Sequence, residues 1–158
     1  MYQVAIIGMG CTPFGVLRDK SGTDLVMEAF QEALQDAGIQ TQDIDATWFS
    51  TRYKENHAGK RGLPVDMFAK LSHGSVSQAE NFCTSGADAF RSACHAVASG
   101  ACDITLALGV EKFMDVDYGG LSDFGASWET RARILFPDAT VPGQYAMMAT
   151  SYFAKSGL

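Results

Sequence analysis

The sequence predicts an α/β fold built on a largely parallel sheet, and three observations carry that expectation. Short apolar runs alternate with stretches of helical periodicity at the spacing of βαβ crossovers. A length of 158 residues suits one ordinary domain around one core. An apolar share of 47% against 19% charged residues is that of a folding globular protein, neither disordered nor fibrous.

The elements follow in order. "YQVAIIGM", residues 2 to 9, is a compact apolar run that reads as a buried strand ending at Gly10. The turn "GCTPFG" leads to a helix that Ser21 or Thr23 can cap; Leu25, Ala29, Ala33 and Leu34 repeat at helical spacing and Gly38 supplies the stop. A second strand is expected at about residues 46 to 52, and a short helix from Pro64 to Leu71, where proline fits the first turn. The third strand falls on residues 74 to 81, a helix on about 84 to 99 with Gly100 as its stop, and the fourth strand on "CDITLALGV". A long irregular tail precedes a last helix beginning near Gln144.

Composition narrows the function classes. The net charge of −6, from 18 acidic and 12 basic residues, offers no basic face to nucleic acid. No run approaches the roughly 18 to 20 apolar residues of a membrane span, and "MYQVAIIGMGCTPFG" has no basic leader, so the chain is expected to be soluble and cytoplasmic. Cys11, Cys83, Cys94 and Cys102 show no CxxC pairing, which points to free thiols in a reducing compartment and to no metal site. "GMGCTPFG" fails as a dinucleotide loop, because proline and phenylalanine stand where the helix would have to start.

One cysteine stands apart. Cys83 lies in "NFCTSG", where a strand end, the turn residues Thr84, Ser85 and Gly86, and a helix start meet. A helix N-terminus carries unsatisfied N–H groups and partial positive charge, which favour a thiolate, the nucleophilic form of cysteine. The helix that follows carries small residues, Ala87, Ser92, Ala93, Ala96, Ala98 and Ser99, around its circumference, with Phe90 and Val97 almost alone as bulky members. Close packing on several sides is the expectation. A small buried core residue is the competing account of any free cysteine, and it is the one that fits Cys11, Cys94 and Cys102.

The residues from Asn81 to Lys112 resemble the nucleophile region of the thiolases, most closely the sterol-carrier-protein type. Asn81, Cys83, Ser85 and Gly86, then Gly100, Asp103, Leu106, Ala107, Gly109, Glu111 and Lys112 carry the match. "VAIIGMGCTPFG", with Gly8, Gly10, Thr12, Pro13, Phe14 and Gly15, resembles the first strand and turn of the same subgroup. The resemblance implies a thiolase-like half domain, a mixed, mostly parallel sheet with helices on both faces, completed by a C-terminal half. It implies an N-terminal domain over residues 1 to 158, with the start of the family's loop domain at about 115 to 158. It implies an acyl-CoA C-acyltransferase in which Cys83 takes the acyl group from a coenzyme A thioester, with no bound cofactor.

The same resemblance implies a dimer with residues 75 to 81 at the subunit interface, and a substrate tunnel that Tyr145, Met147 and Met148 would line. Lys60 and Arg61, with Arg52 and Lys54, form a loop cluster suited to coenzyme A phosphates, although a solvated loop explains them as well. The family's activating histidine, oxyanion asparagine and second cysteine belong to "GHP" and "CxGG" motifs that do not occur in this sequence. His57, His73 and His95 sit in no such motif. The expectation is therefore a half that works with a complementary C-terminal half chain. Two rival readings are a thiolase-like aldolase acting on a steroid side-chain CoA thioester with a small OB-fold and zinc-ribbon partner, and a non-catalytic half that binds or scaffolds a homologue.

Overall fold

The structure is a computed structural model, and it describes residues 3–51, 71–81, 83–112 and 141–157. The chain divides into two compact units, Met1–Lys112 and Phe113–Leu158. The first contains helix α1 (Gly22–Ala37), strand β1 (Ala46–Ser50), strand β2 (Ser75–Ala79), helix α2 (Ser85–Ser99) and strand β3 (Thr105–Gly109). The second contains helix α3 (Val141–Ser156).

Local chemistry sets the helix ends. Ser21 caps α1 in a reciprocal box: its hydroxyl accepts the Asp24 N–H, and the Asp24 carboxylate accepts the Ser21 N–H at 2.7 Å. The Ser21 hydroxyl also donates to the Asp24 carboxylate at 2.7 Å, and this bond first, with the Ser21 N–H second, holds the Asp24 carboxyl below its ordinary pKa. Gly38 and Gly100 end α1 and α2 with φ of 66° and 78°, the left-handed conformation that glycine adopts without strain.

The three strands form one parallel sheet in the order β2-β1-β3, with Ala46 opposite both Ser75 and Thr105. Side chains alternate between the faces of a strand, so each face takes a different helix. Phe49, Leu106 and Leu108 join Leu25, Val26 and Phe30 of α1, with Ile44, Leu71 and Val110, in the hydrophobic core. The opposite face meets α2: the Thr105 hydroxyl donates to the Ala93 carbonyl, and Ser50 lies under Gly86. Helices therefore cover both faces, as expected. At the amino end of the sheet the Asp45 carboxylate accepts the N–H groups of Asp103 and Ile104 at 2.8 and 3.0 Å, which ties the entry of β1 to that of β3.

One expectation about the elements is corrected. Residues 3–9 form no strand; Val4, Ile6, Ile7 and Met9 are exposed, and the segment lies against α1 instead. No described strand reaches it for pairing, and its contacts to α1 are polar and through glycine. Helix α2 buries Ser85, Ala89 and Ala93 on the sheet and leaves Phe90 48% exposed, the open small-residue face expected of a half by itself. Its small residues permit packing on several sides, and the described residues cover one. The expected helix from Pro64 to Leu71 lies outside the described residues except for Leu71, which is fully buried.

Candidate active site

Parallel strands direct their carboxyl ends to one edge of the sheet, the place where open α/β sheets bind ligands. Here that edge holds Ser50 of β1, Ala79 of β2 and Gly109 of β3. The chain leaving β2 passes Asn81 and Cys83 and enters α2, whose N-terminus opens on the same edge. Cys83 is exposed and stands two positions before the first residue of α2, with Thr84 as N-cap.

Three hydrogen bonds fix the turn around it. The Thr84 N–H and the Thr84 hydroxyl both donate to the Asn81 carbonyl, at 3.0 and 2.7 Å. The Asn81 N–H donates to the Ser85 hydroxyl at 2.8 Å, and Ser85 is buried. The thiol is thus exposed on a turn whose two ends are pinned, an arrangement that presents a nucleophile without freeing it.

Small residues form the ground beneath the turn. A Cβ on Gly86 would stand 3.8 Å from Ser50 Oγ, and one on Gly109 would stand 3.0 Å from the same oxygen. A larger side chain at Gly109 would press on Ser50, and a larger one at Ser50 would press on α2 at Gly86. Ser50 is absent from the sequence-derived candidates; its only signal is a place at the end of a strand, and its partners come from distant elements.

The other candidates separate. Tyr145, Met147 and Met148 lie on α3 in the second unit, where all three are exposed. Lys60 and Arg61, with Arg52, Lys54 and His57, lie outside the described residues. His73 and His95 are exposed, the first in the loop before β2 and the second on α2. All four cysteines are free; Cys11 is exposed and Cys94 and Cys102 are half-buried, so none of the three is the buried core residue expected, and no cluster of His, Cys, Asp or Glu suited to a metal occurs among the described residues. No helix among the described residues is long and apolar enough to cross a membrane.

Comparison with known proteins bears on this geometry. The family model for "Thiolase, N-terminal domain" matches residues 4–152. An acetyl-CoA acetyltransferase of Methanocaldococcus jannaschii is 37% identical over 160 residues, which cover 100% of this chain and 40% of that protein. An acetyl-CoA acetyltransferase of Methanothermobacter thermautotrophicus is 36% identical, covering 99% of this chain and 41% of that protein. Sterol carrier protein 2 of Bos taurus is 30% identical over 115 residues, 71% of this chain and 21% of that protein. A solved Ltp2-ChsH2(DUF35) aldolase shares the fold, with a TM-score of 0.66 at 23% identity over 98% of this chain and 38% of that one. The chain thus spans about 40% of the acetyltransferases it matches.

Proposed function

The chain belongs to the thiolase N-terminal domain family, and from that premise we propose that it supplies Cys83 as the acyl-accepting nucleophile of an acyl-CoA C-acyltransferase. The observation that carries the proposal is the exposed thiol on a pinned turn, at the carboxyl edge of a parallel sheet and the N-terminus of α2. In the reaction the Cys83 thiolate attacks the thioester carbonyl of acyl-CoA. The tetrahedral intermediate then expels the coenzyme A thiolate and leaves the acyl group on Sγ as a new thioester. One difficult transfer becomes two easier ones.

The second half of the reaction needs a base at the α-carbon of the incoming acyl-CoA. No motif that would supply it occurs in this sequence, so we assign that step to a complementary half. Loss of one oxyanion donor alone costs about 10²–10³ in rate, and an incomplete site lacks more than one group. Lys60 and Arg61 are assigned to the coenzyme A phosphates, and Tyr145, Met147 and Met148 to the acyl side of the site. Pairing of two copies is assigned to β2, a strand at the edge of the sheet whose Ser75, Ser77 and Gln78 are exposed. Retention of Cys83 favours acyl transfer over the aldolase reading, in which no acyl-enzyme thioester is required.

Mass spectrometry after incubation with acetyl-CoA tests the central claim. One acetyl group on the peptide containing Cys83, absent from Cys83→Ala, is the expected result. Acetylation on Cys11, Cys94 or Cys102 instead, or none in the presence of the complementary half, would overturn it.

A further inference from the structure

The face of the sheet that meets α2 tapers toward its carboxyl edge. Phe49, Leu106 and Leu108 belong to the hydrophobic core under α1, so alternation sets Trp48 and Ser50 of β1, with Thr105, Ala107 and Gly109 of β3, on the α2 side. Trp48 lies opposite Ala107 and Ser50 opposite Gly109. On both strands the last residue facing α2 is the smallest. The first turn of α2 answers with Gly86, where a Cβ would stand 3.8 Å from Ser50 Oγ; a Cβ on Gly109 would stand 3.0 Å from the same atom. Ser50, only 5% exposed, thus lies between two glycines.

Small size is what position 50 supplies. The Ser50 hydroxyl donates to the Leu108 carbonyl at 3.5 Å, too long for a strong bond. The Ser50 carbonyl accepts the Val110 N–H at 3.2 Å and ties the ends of β1 and β3 together. The turn that carries Cys83 hangs between two anchors: the end of β2, paired with β1 from Ser75 to Ala79, and Ser85, whose hydroxyl holds the Asn81 N–H. The sheet fixes the first anchor, and the seat of α2 over Ser50 fixes the second. Lifting α2 there would draw Ser85 away from Asn81 while β2 stays in place.

We propose that Ser50 is a positioning residue for the nucleophile: its small side chain lets the first turn of α2 settle on the carboxyl edge of the sheet, and through α2 it sets where the turn holds Cys83. The inference rests on the reading of Cys83 as acyl acceptor. Ser50 is buried, so it acts without touching substrate.

A size series, Ser50→Ala, Ser50→Val and Ser50→Leu, tests this by iodoacetamide labelling and peptide mapping of the intact protein. Cys11 serves as reference, and the half-buried Cys94, farther along α2, monitors the helix. Labelling of Cys83 relative to Cys11 should hold in Ser50→Ala and fall about fivefold in Ser50→Leu, the factor to which the net worth of one hydrogen bond corresponds. Ser50→Val, a smaller step that suits a strand, should fall between them. Cys94 should label at an unchanged rate throughout. With the complementary half and acetyl-CoA, Ser50→Leu should lower the maximal rate of Cys83 acetylation by a similar factor and leave the half-saturating concentration unchanged. Equal slowing in Ser50→Ala and Ser50→Leu, no slowing in Ser50→Val and Ser50→Leu, or faster labelling of Cys94 would each overturn the seat. A missing acetyl group on Cys83 of the unsubstituted protein would overturn the acyl-acceptor reading instead, while the labelling series still reports the seat.

Discussion

Replacing Ser85 by alanine removes the hydroxyl that accepts the Asn81 N–H at 2.8 Å, one of three bonds closing the turn that carries Cys83. Asn81 is exposed, so the freed N–H is taken up by water rather than stranded. For this bond the loss is the net worth of one hydrogen bond, about 1 kcal/mol, not the larger cost of a buried unpaired donor, and it is the least that the substitution removes. Alanine is the better helix former by about 0.5 kcal/mol, which offsets part of the loss. A net destabilisation of about 0.5–1 kcal/mol lowers Tm by only about 2 °C in a chain of this size. Thiol reactivity is the sharper readout. Cys83 is already exposed, so loosening the turn adds no access; it costs the thiol its place at the positive end of α2. Iodoacetamide labelling, read by peptide mapping with Cys11 as internal reference, should slow at Cys83 by about two- to fivefold, the factor that such an energy corresponds to. An unchanged ratio of Cys83 to Cys11 labelling would refute the view that the Asn81–Ser85 bond sets the position of the nucleophile.

Two further predictions concern the sheet beneath the site. The Thr47 hydroxyl is fully buried and meets no hydrogen-bond partner among the described residues, so Thr47→Val should keep the shape and raise stability by about 1 kcal/mol in urea unfolding; a loss of stability would reveal a partner for that oxygen. Asp45 accepts the N–H groups of Ile104 and Asp103, and these bonds hold its carboxyl below the ordinary value of 3.8. A depressed folded pKa contributes stability above the unfolded value, and that contribution is lost as pH falls through the folded one. Asp45→Asn keeps an acceptor oxygen but removes the titration, so the variant should be less stable at neutral pH and should lose less on acidification below about pH 4. Asp24, also depressed, continues to supply acid sensitivity. An acid limb as steep as in the unsubstituted protein would count against the Asp45 tie.

What the letters convey depends on how far the deciding contact lies along the chain. Ser21, Asp24 and Gly38 bound α1 through bonds to residues within one turn, and the expected helix and the observed Gly22–Ala37 agree because that chemistry is local. The helix after Cys83, expected at about 84 to 99 and found at Ser85–Ser99, is legible for the same reason. The last helix begins at Val141 rather than near Gln144, because Pro142 sits in its first turn, where a missing N–H costs nothing. Ser50 shows the limit. Its place beneath Gly86 and beside Gly109 follows from the parallel register of β1 with β3 and from the seating of α2, neither of which has a local signal.

The exposure of residues 3–9 and of the outer side of α2 has one physical source. An apolar run such as "VAIIGM" and a helix as rich in small residues as α2 record which surfaces are protected from water in the state that selection acts on. A fold of this chain shows only the protection that its described residues give. Val4, Ile6, Ile7 and Met9 before α1, and Phe90 on the outer side of α2, are therefore exposed where the sequence pattern calls for cover. Contiguous exposed apolar surface on a soluble domain marks a place of contact. The acetyltransferases matched here are more than twice as long as the matched stretch, so the polypeptide they carry beyond it is of a size to provide such cover. The turn at Cys83 is pinned by Asn81, Thr84 and Ser85 from within the chain, so its geometry is set independently of whatever covers the outer faces of residues 3–9 and of α2.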